Sequence, residues 1–169
     1  MLNSQTKDPA VLKEAMGEYQ KKSRDNARTP MQWDSSPNAG FTSAKMTPWM
    51  TANPNYTNIN AESQVNDPES PFSYWKSMLS MRKKHKDVVV YGNFEMLDET
   101  NEKIIGYMRQ SEKGERMLVL CNFTADKVEW GSGNVHAKEI VLSTYSRSLK
   151  DLGKDSIFLD AYEAIALLV

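Results

Sequence analysis

Apolar residues along this chain recur first at three-to-four spacing and later at every second position. Asp8 and Pro9 precede Val11, Leu12, Ala15, Met16 and Tyr19, an N-cap, a first-turn proline and an apolar stripe that together predict a helix over 9–22. Its remaining residues, Lys13, Glu14, Glu18, Gln20, Lys21 and Lys22, form a solvated face, and Gly17 weakens the helix by roughly 1 kcal/mol relative to alanine. Ser70-Pro71 opens a second helix over 71–86, with Phe72, Trp75, Met78, Leu79 and Met81 as its buried face. The basic run Arg82 to Lys86 closes it, as suits the negative end of the helix dipole. Beyond Asp87 the period shortens, predicting strands at 88–91, 94–97, 103–109, 117–123, 135–142 and 157–169. The turn clusters 98–102, 111–115, 131–134 and 150–156 separate them at a spacing typical of an all-β antiparallel sandwich.

Between the helices, residues 23–70 hold the five prolines from Pro30 to Pro68 and isolated aromatics at Trp33, Phe41, Trp49 and Tyr56 without a sustained period. Loops longer than about 12 to 15 residues are usually functional or disordered. Large aromatic rings argue against disorder, since they need surfaces to bury their faces, and so for a loop that covers a site or packs on a larger body. Two parts result: 88–169 reads as a complete β-sandwich domain, whereas 1–87 reads as two helices and a loop with no sheet to pack on.

Composition narrows the function class. With 40% hydrophobic and 25% charged residues in 169, the chain falls among soluble globular proteins. The 21 basic and 22 acidic residues give a net charge of -1, leaving no positive surplus for nucleic acid or an anionic membrane surface. No apolar stretch is long enough to span a bilayer, and the run Met1 to Lys7 lacks the apolar core of a signal peptide. The single cysteine, Cys121, lies in the apolar run Met117 to Cys121 and suits a reducing compartment, so a cytoplasmic location is expected. His85 and His136 are far apart and there is no thiolate cluster, Gly-rich phosphate loop or G-x-S-x-G elbow, so neither metal nor cofactor is expected. Of two glycosylation sequons, at Asn55 and Asn122, the second ends the most apolar strand and reads as a chance match.

Candidate chemistry concentrates in 23–34, where Arg24, Arg28, Asp25, Asp34, Asn26 and Gln32 surround Trp33. Forked donors and acceptors beside a flat apolar ring suit a sugar. The same inventory also suits an arginine–carboxylate network that staples the loop to its body. The paired carboxylates Asp25/Asp34 and Asp98/Glu99 read as solvated, with nothing to place either pair across a glycosidic bond.

The run Arg24 to Asp34, continued by Pro37 to Thr42, Pro48-Trp49-Met50, Asn53 to Tyr56 and Asn58-Ile59-Asn60, closely resembles the C-terminal part of family 13 α-glucosidases of the maltase and oligo-1,6-glucosidase type. The likeness continues through Phe72 to Trp75, Arg82-Lys83, Val89 to Gly92, Leu120 to Thr124 and Tyr162-Glu163-Ala164. Helix 8–22 also resembles an insertion in fungal maltases. The resemblance implies the last helices and loop of a TIM-type (β/α)8 barrel, incomplete here, followed by an antiparallel β-sandwich. Loop 23–70 would lie over the barrel mouth, where such sites are built. It implies that Arg24 clamps a terminal glucose hydroxyl and that Arg28 stands near the pocket entrance, with a small oligosaccharide as the partner. The family's nucleophile, acid/base and stabiliser carboxylates have no matching positions, so no catalytic residue is assigned and the chain alone is expected to be inactive. Two relatives of other function share the pattern: a non-catalytic heavy chain of amino-acid transporters, and sucrose isomerase or trehalose synthase. Oligomeric state and linkage preference are not encoded in these motifs.

Overall fold

The computed structural model describes residues 7–131, 133, 135–153 and 155–169. The absence of a signal-like core in 1–6, and Ser132, Asn134 and Lys154 of the expected turns, lie outside the described residues. The chain forms two compact units, one ending at Phe72 and the other spanning Ser73–Val169.

In the first unit, α1 (Pro9–Lys22) starts where the sequence placed it. The Asp8 carboxylate caps it by accepting from the amide of Ala10, and Lys21 and Lys22 occupy its last turn. Its apolar stripe is not buried, since Val11, Met16 and Tyr19 are exposed. The long connection holds short 3-10 turns at Arg24–Ala27, Pro37–Gly40 and Pro54–Thr57, and a one-turn helix α2 (Ala61–Val65). Asn60 caps α2, accepting from the Ser63 amide at 2.9 Å while donating to the Tyr56 carbonyl at 2.8 Å. The two bonds hold both ends of a turn that has little apolar material to bury.

In the second unit, seven strands form a five-stranded antiparallel sheet of order β1-β2-β3-β7-β5 and a two-stranded sheet β4-β6. They are β1 (Asn93–Leu97), β2 (Ile104–Gln110), β3 (Arg116–Asn122), β4 (Val128–Gly131), β5 (Glu139–Ser143), β6 (Ser156–Leu159) and β7 (Ala164–Leu168). Leu118, Leu120, Ile165 and Leu167 meet Val128, Trp130, Ile157 and Leu159 in the core between the sheets. Alternate residues of the same strands, Met117, Val119, Ala166 and Leu168, pack on the other side with Met81, Val88 and Val89. Helices therefore cover the second face of β3 and β7, and this is why those strands read as unbroken apolar runs rather than an alternation.

Several expectations are corrected. The strand expected at 88–91 is instead the end of a short helix, α4 (Lys86–Val89), which follows α3 (Pro71–Lys84). Val88 is fully buried against Met117 and Ala166, and Arg109 donates to the carbonyls of Val88, Val90 and Gly92. Burial and a cap for the loose carbonyls override the β-propensity of three valines. A side chain at Gly92 would run into the carbonyl of Val88, so the chain can turn into β1 there only without a Cβ. The expected helix over 71–86 ends at Lys84, and its apolar face divides. Met78, Met81 and Tyr74 are half-buried, whereas Phe72, Trp75 and Leu79 are exposed. Strand 135–142 shortens to β5, and β4 was not foreseen because its four residues carry only two inward positions, Val128 and Trp130.

The strand expected over 157–169 is two strands, separated by a turn in which Tyr162 has a φ of 56°. The cause is Glu163, which is 0% exposed. Its carboxylate accepts from Arg147 Nε at 2.5 Å, from Arg147 Nη2 at 2.7 Å and from the Asp160 amide at 2.7 Å. A buried carboxylate persists only when paired and hydrogen-bonded, and the turn brings it to its partners. Asn122 acts similarly: it is buried and its amide donates to the carbonyls of Asp126 and Asp160, both at 2.8 Å, so the second sequon is structural.

Leu120→Ala is expected to lower the unfolding free energy by about 2–5 kcal/mol, because it empties a fully buried position. Leu79→Ala, on the exposed side of α3, should change it by less than about 0.5 kcal/mol. Urea titrations followed by tryptophan fluorescence measure both, and equal losses would contradict the division of α3.

Candidate functional site

The segment with the sugar-binding inventory is built outward from the end of α1. The Ser23 amide donates to the Tyr19 carbonyl at 2.9 Å, closing the helix. Ser23 Oγ then accepts from the Asp25 amide, starting the 3-10 turn Arg24–Ala27. The side-chain amide of Asn26 donates back to the Gln20 carbonyl at 2.6 Å. The turn is thus tied at two points to a helix end, which fixes where Arg24 and Arg28 start.

The two arginines differ in partnership. Arg28 Nη1 lies 3.5 Å from Asp25 Oδ1 in an exposed ion pair. Pairs of that kind contribute roughly 0–1 kcal/mol and mainly orient the two side chains. Among the described residues Arg24 has no carboxylate partner. It lines a cleft of ≈ 480 Å³ with Ala15, Glu18, Tyr19, Lys22 and Ser23, and Glu18 is itself paired with Lys22. Within 23–34, among the described residues, the arginine–carboxylate pairing is that of Arg28 with Asp25, a bond inside one turn, and Arg24 forms none.

Downstream, polar side chains fix the path of the backbone. Gln32 donates to the Asn55 side chain at 3.1 Å and to the Ile59 carbonyl, while its own carbonyl accepts from Ala61 at 2.9 Å. Asn38 donates to the carbonyls of Ser43 and Met46, both at 2.9 Å. Asn38, Ala39 and Gly40 follow one another in the left-handed region, with φ of 59°, 57° and 66°. That geometry costs about 1–2 kcal/mol for each non-glycine residue. It turns the Ala39 carbonyl back to accept from the amides of Trp33 and Asp34, and Ala39 itself is fully buried. A Cβ at Gly40 would lie 2.5 Å from Asp34 Oδ2, so the turn needs glycine on two counts. Asp34 is half-buried and accepts from the Ser36 hydroxyl at 2.5 Å and the Ser36 amide at 2.8 Å. These bonds, the hydroxyl's first, hold its carboxyl below the ordinary value of 3.8.

Three of the four aromatic rings of this segment do not find cover, and Tyr56 is half-buried. Trp49 is 88% exposed, and Trp33 and Phe41 are more than half exposed. A loop fixed by amide and carboxylate bonds while presenting its rings outward is the reverse of a loop folded on its own core. The paired carboxylates Asp25/Asp34 and Asp98/Glu99 resolve into local roles, Asp25 with Arg28, Asp34 with Ser36, and Asp98 accepting from Asn101 at 2.7 Å. Among the described residues no group of three or more His, Cys, Asp or Glu could hold a metal, and no helix is long and apolar enough to cross a membrane. Sequence reasoning missed the bond from Asn26 to Gln20 and the left-handed turn. The Asn-Ala-Gly tripeptide was a visible signal for the turn, since Asn and Gly tolerate positive φ.

Residues 1–92 match the family model of the α-amylase catalytic domain, and residues 94–165 match that of the maltogenic amylase C-terminal domain. An α-glucosidase of Schizosaccharomyces pombe is 41% identical over 157 residues, covering 92% of this chain and 27% of the relative. An oligo-1,6-glucosidase of Bacillus cereus is 37% identical over 145 residues, covering 85% and 25%. Among solved structures, the trehalulose synthase MutB of Pseudomonas mesoacidophila superposes with a TM-score of 0.77 at 34% identity, covering 86% of this chain and 26% of that one. The chain spans about a quarter of the length of these relatives. The fold class is accordingly the final helices and loop of a barrel of this type followed by an antiparallel sandwich.

Ser36→Ala should raise the Asp34 pKa toward the ordinary carboxylate value by removing the hydroxyl that does most to lower it. The folded-state value is depressed, so the turn's contribution to stability is present above the ordinary carboxylate range and is lost as pH falls through the folded value. Carboxyl carbon NMR titration reads the pKa, and the protection of the Trp33 amide reads the turn. An Asp34 titration unchanged in the variant would refute the assignment.

Proposed function

The chain belongs to the α-amylase family, and on that premise we propose that it supplies the sugar-clamping loop and the C-terminal sandwich of a retaining α-glucosidase. The substrates would be α-1,4- or α-1,6-linked glucosides of the maltose and isomaltose type, in carbohydrate metabolism. One observation carries the reading: among the described residues Arg24 stands on a cleft unpaired, the Glu18 carboxylate there being taken by Lys22, in the motif that resembles the family's sugar clamp.

A guanidinium presents five N–H donors in a rigid fork and no acceptor. Neutral sugar hydroxyls accept from it without a charge having to be matched, and its geometry fixes which face of a terminal glucose is presented. Retaining glycosidases cleave through two carboxyl groups about 5–5.5 Å apart, one as nucleophile and one as acid and then base. Binding energy from residues remote from the broken bond holds the sugar in the reactive position. In this reading Arg24 does that work and Arg28, oriented by Asp25, guards the entrance. The chain contributes no catalytic carboxylate. Residues 1–87 close the barrel, with the exposed rings of Trp33, Phe41 and Trp49 facing polypeptide that the longer relatives carry. Residues 88–169 form the sandwich domain, a division supported by the change of family match between residues 92 and 94. The half-buried lone thiol of Cys121 supports a reducing, cytoplasmic setting.

A second reading is favoured by the likeness to a trehalulose synthase: the same loop and sandwich serve an enzyme that isomerises sucrose. Product analysis after incubating the full-length protein with sucrose separates the two, since hydrolysis yields free glucose and fructose and isomerisation yields a rearranged disaccharide.

The 169-residue chain by itself should release no p-nitrophenol from its α-glucoside, and release by pure material would sink the proposal. In the full-length protein Arg24→Ala should lower kcat/KM by roughly 10- to 100-fold, the worth of a charge-assisted hydrogen bond. Arg28→Ala should cost less than about tenfold, because its ion pair is exposed.

A further inference from the structure

The cleft at Arg24 has two walls. Ala15, Glu18, Tyr19 and Lys22 of α1 form one, and Ser23 and Arg24, where the chain has left the helix, form the other. Its shape therefore depends on how the 3-10 turn Arg24–Ala27 is held against the end of α1. The backbone of Ser23 is extended, with φ of -63° and ψ of 128°, so the helix does not carry its own direction into the turn.

The bonds at this junction are of unequal kinds. The Ser23 amide donates to the Tyr19 carbonyl at 2.9 Å and the Asn26 amide to the Ser23 carbonyl at 3.1 Å; these are main-chain groups that every residue except proline carries. Ser23 Oγ accepts from the Asp25 amide at 3.3 Å and reaches only two residues along the chain. Asn26 Nδ2 donates to the Gln20 carbonyl at 2.6 Å, across six residues. Gln20 is among the last four residues of α1, whose carbonyls have no partner inside a helix. The Asn26 side chain thus satisfies a helix-end acceptor and closes a ring over 20–26 with Arg24 inside it. Among the described residues that line the cleft Asn26 is not one, so it reaches the cleft only through Arg24.

We propose that Asn26 is the positioning residue for the Arg24 guanidinium, fixing the backbone from which that side chain enters the cleft without itself touching the sugar. This rests on the reading of Arg24 as the sugar clamp. A guanidinium is a rigid fork on a long flexible stem, and its donors are useful only where the stem starts from a fixed point. A misplacement of about 1 Å far from the broken bond can cost on the order of 100-fold in rate. The residue type follows from the bond, since the side-chain amide donates and a carbonyl can only accept. Aspartate has nearly the same shape, but its ionised carboxylate has no donor. It would set oxygen against oxygen at Gln20 and add negative charge at the negative end of the α1 dipole.

The test is a double-mutant cycle on the full-length protein, read as kcat/KM for p-nitrophenyl α-glucoside. Asn26→Ala should lower kcat/KM by roughly three- to tenfold, the worth of one neutral hydrogen bond, and Asn26→Asp should lower it at least as much. In the Arg24→Ala background either change should matter by less than about twofold, because no guanidinium is left to place. Aspartate milder than alanine would show that position 26 meets the substrate directly, since a carboxylate accepts well from a sugar hydroxyl, and would overturn the proposal. Equal costs in both backgrounds would reduce Asn26 to a merely structural role and overturn it as well. A costly Arg24→Ala beside a harmless Asn26→Ala brings down this proposal alone, whereas a harmless Arg24→Ala brings down the clamp reading and this proposal with it.

Discussion

Burial of β3 and β7 on both faces is the constraint from which the rest of the sandwich follows. One face of these strands meets Trp130, Ile157 and Leu159 of the smaller sheet, and the other meets Met81, Val88 and Val89 of the helices. A strand covered twice needs an apolar residue at every position, which the runs Met117 to Leu120 and Ile165 to Leu168 supply. Once those strands are central, the rest are placed by what remains: β1 and β5 take the edges, and the chain must pass over the sheet at 86–89 as helix rather than strand. Arg109 secures that passage by collecting carbonyls that no ladder would use.

The first unit is ordered by a different kind of force. Its connection of nearly fifty residues has few buried side chains; Asn, Gln, Ser and Asp groups bond to the backbone at Asn26, Gln32, Asp34, Asn38 and Asn60. Directional bonds can hold an irregular path where apolar packing cannot, at the cost of left-handed residues at Asn38 and Ala39. Such a scaffold leaves the faces of Trp33, Phe41 and Trp49 exposed and, among the described residues, the Arg24 guanidinium without a carboxylate. Charged pairs divide by the same logic: the Arg147–Glu163 pair is buried, hydrogen-bonded from several sides and structural, whereas Arg28 and Asp25 are exposed and only orient one another.

Local pattern was enough for α1, for the body of α3, for β1 to β3 and for the antiparallel class, because each rests on periodicity or on a cap within a few residues. The clustering of polar side chains around Trp33 in 23–34 was legible too, since its residues are neighbours in the chain. Three things were not. Val88 and Val89 became helical through burial of Val88 against residues about 30 and 80 positions away, a contact no local propensity reports. The split of the last strand follows from a carboxylate, Glu163, whose partner Arg147 lies 16 residues upstream. The pairing of Lys127 with Asp160 at 3.0 Å joins residues from two separate turns, and nothing in their spacing marks them as neighbours. The sequence by itself determined the periodic elements and the residue types available for chemistry. Which face of each element is covered, and which charges are neutralised, was decided by tertiary structure, because burial and desolvation depend on what the fold brings alongside.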